Sequence, residues 1–251
     1  MERGDAIDLA AELASSLDWW VEAGVDCLVA EEPRDWLKPV VVPETHAANP
    51  GNGDAAPQAR HAEPRPDPLP DQLNLFQAWL RESDAHPYAA PNAPRLCPVG
   101  DPAAGLMIMA AMPSSEDCAA GTLLSGAAGR LFDRMLAAIG RGRDTAYIAG
   151  LSCLRPPGGR FDAQGASRCA EIARHHVALA KPKALLLLGD ECAKAMFGLG
   201  AAQARGRVHQ IEGDGMSVPA IVTLSPDFLL SHPAHKARAW ADLQMLMEWL
   251  A

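Results

Sequence analysis

The chain has 251 residues, 49% hydrophobic and 21% charged, which is enough for one substantial globular core with appendages. No apolar stretch approaches the roughly 20 residues that cross a bilayer. The acidic opening Met1-Glu-Arg-Gly-Asp-Ala-Ile-Asp8 also lacks the basic start of an export signal, so a cytoplasmic protein with no membrane partner is expected.

The net charge of −9 lies wholly in residues 1–70, which hold 14 acids and 5 bases. Within them, Asp5 to about Gly24 has helical spacing, with Leu9, Leu13, Leu17 and Trp20 on one stripe. Residues 1–42 therefore read as an acidic helical appendage that either docks on the domain or recruits a protein partner. Seven prolines between Pro43 and Pro70, mixed with Ala, Gly, Asn and His, make residues 43–70 a disordered linker. The domain proper is expected over 71–251.

There, Asp71 is placed to cap a short helix carrying Leu73, Phe76, Trp79 and Leu80. The run Leu106 to Met112 reads as a buried strand, and a helix follows from about Arg130 with Leu131, Met135, Leu136 and Ile139 on its stripe. Tyr147-Ile148 marks a second strand, and a helix over about Gly165–Ala180 ends at Lys181-Pro182. Lys183 to Gly189 is a third strand, followed by a helix over Asp190–Phe197; Val218 to Leu224 is a fourth, and a helix from about Pro233 to Leu250 closes the chain. Continuous apolar strands alternating with helices predict an α/β fold, a three-layer α/β/α arrangement around a central four-stranded parallel sheet. Ligands of such sheets bind beyond the carboxyl ends of the strands, where the loops at 113–129, 150–160 and 225–231 depart.

The neutral remainder binds nucleic acid only through a local basic face, for which Arg155, Arg160, Arg205, Arg207, Lys236 and Arg238 are candidates. Six cysteines (Cys27, Cys97, Cys118, Cys153, Cys169, Cys192) lie far apart without a Cys-x-x-Cys pair, which fits neither a zinc site nor a disulfide framework.

Several motifs follow one another in a fixed order. Pro113, Glu116-Asp117, Gly121, Gly126, Ala128 and Gly129 form the first, and Tyr147-Ile148 leading to Arg155-Pro-Pro-Gly158 the second. Lys181-Pro182-Lys183 with Gly189 comes next, then Thr223-Leu-Ser-Pro-Asp-Phe-Leu-Leu230, then Lys236 through Trp240-Ala-Asp-Leu243. In order and spacing, from about Asp71 to Ala251, they resemble the bacterial iron–sulfur (family-four) uracil-DNA glycosylases. The resemblance implies that family's fold, a DNA partner and a role in DNA repair.

It also implies a set of working positions at which this chain differs. A base-excising enzyme flips a nucleotide, holds its Watson–Crick edge and stabilises the departing base anion. Where the family has a stacking aromatic ring, this chain has Leu124; where an asparagine reads uracil, it has Gly150. The histidine that donates to the base anion is Ser225, and the acidic residue of the first motif is Ala111. Glu116 and Asp117 are the candidates to orient water in their place, the alternative being helix capping, and Ser114 and Ser115 join Leu124 and Gly150 in the expected base pocket. His232-Pro233 repeats the family's His-Pro pair seven residues late and reads as a helix entry. Arg155 and Arg160 are expected on phosphates, with Leu229 and Leu230 either wedged into DNA or buried under the sheet edge.

Of the family's four cluster cysteines only Cys169 is matched. Leu154 occupies another ligand position with Cys153 one place early, and His86 and Tyr88 lie where the paired ligands belong. No metal and no iron–sulfur cluster are expected, and Glu82–Pro94 must be held by packing. The leading reading is a catalytically degenerate protein that binds DNA or acts in the damage response. A DNA glycosylase of altered base specificity is the alternative, and a protein-interaction scaffold without DNA affinity is the third.

Overall fold

The computed structural model describes residues 68–213 and 216–250. The expected appendage at 1–42 and nearly all of the linker at 43–70 lie outside the described residues.

Six strands form one sheet: β1 (Val99–Gly100), β2 (Leu106–Ala110), β3 (Tyr147–Gly150), β4 (Ala184–Leu188), β5 (Val208–Gly213) and β6 (Met216–Thr223), in spatial order β1-β3-β2-β4-β6-β5. The four inner strands are parallel, as expected, with Ile108 opposite Ile148 and Leu186, and Leu186 opposite Ile221. The expected four-stranded sheet gains an antiparallel strand at each edge. These carry little apolar signal: both residues of β1 are exposed, and β5 buries only Ile211.

Side chains alternate across the pleat. Met107, Met109, Tyr147, Ala149, Leu185 and Leu187 face one side, while Leu106, Ile108, Ala110, Ile148, Leu186 and Leu188 face the other. The first face is covered by α4 (Ala163–Ala180), α5 (Asp190–Phe197) and the short α6 (Ala201–Ala204). The second is covered by α3 (Gly126–Ala138), α7 (Pro226–Ser231) and α8 (Lys236–Leu250). α1 (Leu73–Glu82) inserts Phe76 and Leu80 against Cys153, Leu154 and Ile172, and α2 (Ser115–Ala120) belongs to the loop after β2. This is the expected α/β/α sandwich, and each fully buried Leu, Ile or Met contributes about 1.5–3 kcal/mol.

Three boundaries differ from expectation. α1 has Gln72 at its N-cap with no side-chain cap, so Asp71 does not cap it. α3 starts at Gly126, because Gly-Ala-Ala-Gly is helical without offering an apolar stripe. The closing helix starts at Lys236, after a separate 3-10 turn over Pro233–His235. Lys181 ends α4 in the left-handed region at φ 45°, one residue before Pro182.

Two buried polar contacts tie the layers together. Arg205 donates from Nε and Nη2 to one oxygen of the buried Asp242, at 2.9 and 2.7 Å, joining the turn after α6 to α8. Arg205 was a candidate for the basic face; its guanidinium is instead held by this inward ion pair. Behind the sheet, Gln77 donates to the Tyr147 hydroxyl at 2.8 Å, and that hydroxyl shares a hydrogen bond of 2.8 Å with His176 Nε2. Burial keeps His176 neutral and pushes its pKa down to about 3.

Unfolding returns His176 to its ordinary pKa near 6.5, so below that pH the unfolded chain takes up a proton that the folded chain refuses. Stability should fall as pH drops from 6.5 towards 3, by about 1.4 kcal/mol per pH unit from this residue. Denaturant titrations across that range should show a shallower slope in His176→Gln than in the parent chain.

Candidate active site

The parallel strands end together, and their carboxyl ends open a cavity of about 260 Å3. Its floor is Ala110-Ala111 after β2 and Leu188 at the end of β4; its walls are Ser114, Leu124, Arg155 and Ser225. The sequence motifs thus converge on one place, where an open parallel sheet binds its ligands. A larger cleft of about 310 Å3 between α4 and α5, near Phe161, Arg174 and Lys194, contains none of the residues singled out by the motifs.

The first wall is built by capping. Ser114 Oγ accepts from the Asp117 backbone N–H at 3.0 Å while Asp117 accepts from the Ser114 N–H at 3.0 Å, a reciprocal box at the start of α2. The other Asp117 oxygen accepts from the backbone N–H and the hydroxyl of Ser125, at 2.6 and 2.7 Å. Burial opposes the charge on Asp117, but these hydrogen bonds outweigh it and hold the carboxyl below the usual carboxylate range. Both Asp117 oxygens are thus engaged in joining α2 to α3. The Glu116 carboxylate rests on Gly126, where a Cβ would collide with it, and is not part of the cavity wall. Ser115 is exposed at the start of α2 and does not line the cavity.

Leu124 turns into the cavity at φ 54°, a left-handed conformation that a leucine adopts only under constraint. The constraint is Arg143, which donates to the carbonyls of Leu123 and Leu124 at 2.9 and 2.5 Å and to Asp133 at 2.7 Å. Gly129 is needed beneath it, since a Cβ there would strike the Leu124 carbonyl.

Gly150, the position expected to read the base, is not part of the cavity lining, and there the chain turns sharply. Leu151 and Ser152 donate back to the carbonyls of Ala110 and Ala111 at 2.7 and 3.0 Å. The Ser152 carbonyl oxygen then occupies the space that a Cβ on Gly150 would need. Across the cavity Ser225 caps α7, its Oγ accepting from Phe228 N–H at 3.3 Å. Ser114 and Ser225 both accept in this way and each keeps its own O–H to donate. Arg155 Nη1 donates to the Pro113 carbonyl at 3.0 Å, and its guanidinium packs against Gly159.

Asp227, not singled out from sequence, stands on the cavity rim in the first turn of α7. It is exposed, yet desolvation by the walls and the charges of Asp117 and Glu116 push its carboxyl above the usual range. Its signal was the acid that follows the Ser225-Pro226 cap. Arg143 had none, because it acts on residues 19 and 20 places earlier. Leu229, expected as a wedge or buried, is buried at 1% exposure, packed on the side of α3 and α8, whereas Leu230 is 41% exposed. Arg160 is exposed away from the cavity wall.

The residues near the family's cluster position do not fit an iron–sulfur cluster. Cys153 and Cys169 are buried, and burial pushes their thiols up to about 12 and about 11. Cys153 donates to the Leu80 carbonyl, Leu154 is fully buried beside it, and Tyr88 packs on Phe161. His86 Nδ1 faces the Pro87 carbonyl at 2.5 Å, and burial lowers its pKa to about 4. Among the described residues no group of three or more His, Cys, Asp or Glu side chains is placed to hold a metal ion. Arg95 ties the segment down through the carbonyls of Leu80 and Ser83.

A family model described as the uracil DNA glycosylase superfamily matches residues 97–244. A type-4 uracil-DNA glycosylase of Archaeoglobus fulgidus is 26% identical over 157 residues, covering 60% of this chain and 79% of that protein. One of Pyrobaculum aerophilum is 28% identical over 153 residues, covering 58% of this chain and 78% of its own length. The matched region holds the whole inner sheet and every wall of the cavity described above, and the chain belongs to the uracil-DNA glycosylase superfamily.

Proposed function

We propose that the protein binds DNA at the carboxyl edge of its sheet, within DNA repair or the damage response, and does not excise uracil. The observation that carries this reading is the Ser152 carbonyl standing in the side-chain space of Gly150. A uracil in the cavity would find no asparagine amide there, and each polar group of its edge left unpaired costs about 1–3 kcal/mol. Leu124 offers apolar contact without a ring face, Ala111 carries no carboxylate, and Ser225 donates without the positive charge a histidine can carry. Arg155, exposed on the cavity wall, is available to phosphates, and Arg160 is exposed farther along the same loop. We further propose that it works in the cytoplasm, without a metal or cluster.

One observation favours the second reading, a glycosylase of altered base specificity. Asp227 holds a carboxyl on the cavity rim that takes a proton more readily than an ordinary aspartate. A protonated carboxyl offers both a donor and an acceptor to a base edge.

Base release from single-stranded and duplex oligonucleotides carrying uracil, hypoxanthine or xanthine separates the readings. The expected result is no release of any of them, with salt-sensitive binding of the same oligonucleotides. Release of hypoxanthine or xanthine that falls in Ser225→Ala would establish an active enzyme instead, and absent DNA affinity would leave an interaction scaffold.

Restoring the missing amide should fail as well. Gly150→Asn should leave uracil release at background and lower stability by about 2 kcal/mol in thermal melts, because its Cβ must displace the Ser152 carbonyl. Recovery of uracil release in this variant would show that the backbone gives way and that the lost side chain alone removed activity.

Protein purified without oxygen should contain no stoichiometric iron, and its melting temperature should not change with a chelator. A visible cluster absorbance lost together with folding would overturn the cofactor-free reading.

A further inference from the structure

Resting on the DNA-binding reading of the same edge, we infer that the exposed rings of Phe228 and His232, braced by the half-buried His235, form a stacking platform for an unpaired nucleobase, so that the DNA held here is single-stranded or locally opened. Helix α7 is anchored by its buried Pro226 and Leu229. Phe228, 37% exposed, and Leu230, 41% exposed, flank that buried stripe, which leaves two large apolar side chains in solvent on a helix of six residues. Phe228 does not turn inward to escape water. Its ring lies on that of His232 with centroids 4.3 Å apart and planes 14° from parallel, and His235 meets it edge-on at 5.4 Å. The backbone fixes this arrangement, since His232 N–H donates to the Phe228 carbonyl at 2.8 Å and His235 N–H to the His232 carbonyl at 3.1 Å.

Position gives the platform its meaning. Ser225, Pro226 and Asp227 line the cavity, and Phe228 is the next residue along the same helix, so the rings stand where a strand would pass on its way to the cavity mouth. Every nucleobase has an apolar face, and aromatic side chains, histidine included, stack on such faces without regard to sequence. In a duplex both faces of each base are already covered by its neighbours, so flat exposed rings favour a base that has lost one. Cations border the platform: Lys236 and Arg238, both exposed, directly follow His235, and Arg155 is on the cavity wall. They supply the backbone attraction that a carboxylate such as Asp227 cannot.

Fluorescence anisotropy with a labelled single strand and the matching duplex tests this, using the full chain, the double variant Phe228→Ala with His232→Ala, and Phe228→Trp. The expected result is tighter binding of the single strand, about tenfold weaker in the double variant and retained in Phe228→Trp, with duplex binding unchanged throughout. An oligonucleotide carrying 2-aminopurine gives a reading that needs no variant, since stacking on a ring quenches its emission when the unaltered protein is added. Equal single-strand affinity in the parent and double-variant proteins, or unquenched 2-aminopurine in a bound complex, would overturn the platform while leaving DNA binding intact. Failure of the parent protein to bind either DNA would overturn the DNA-binding reading itself.

Discussion

Four parallel strands buried on both faces are the constraint from which the rest of this molecule follows. Their side chains are almost all apolar, Tyr147 and Thr223 being the buried polar exceptions, and their backbone groups are taken up chiefly by neighbouring strands. Polar chemistry is thereby confined to the strand ends, where connections must turn. The carboxyl ends of β2 and β4 and the loops following β2, β3 and β6 therefore collect Ser114, Leu124, Arg155 and Ser225 around one cavity, although these residues span more than a hundred positions of the chain. The location of the site is a property of the sheet, independent of whether the site retains its chemistry.

That independence is visible residue by residue. Devices that shape the cavity are complete: the Ser114–Asp117 box, the bridge from Asp117 to Ser125, and the Arg143 clamp that holds Leu124 in a left-handed turn over Gly129. At the positions where the resemblance places groups that act on a base, this chain has Ala111, Leu124, Gly150 and Ser225. At Gly150 the Ser152 carbonyl stands in the space a side chain would need. The walls of this superfamily cavity are thus built by capping and clamping, whatever the cavity holds.

Much of this was legible in the sequence, for identifiable reasons. Strands such as Leu106–Ala110 and Ala184–Leu188 are unbroken apolar runs, and nothing else in a chain of this composition produces that pattern so compactly. Edge strands β1 and β5 were not legible, because a strand with one exposed face and few buried residues looks like a loop. Cavity residues fixed by motif order, such as Ser225 and Leu124, were found. Arg143 was missed because its partners are distant in sequence, and Arg205 was misjudged because an arginine's sequence neighbours do not reveal an Asp242 that is 37 residues away. Leu229 and Leu230 are adjacent in sequence yet opposite in burial, a difference set by the packing of α7 and beyond the reach of pattern alone.

The buried thiols of Cys153 and Cys169 have a consequence for the conditions under which this protein works. A thiol reacts with peroxide or disulfides as its anion, and both groups are held protonated well above neutral pH and away from solvent. At these two positions the sulfur is shielded from both. Oxidants therefore find no reactive sulfur at Cys153 or Cys169.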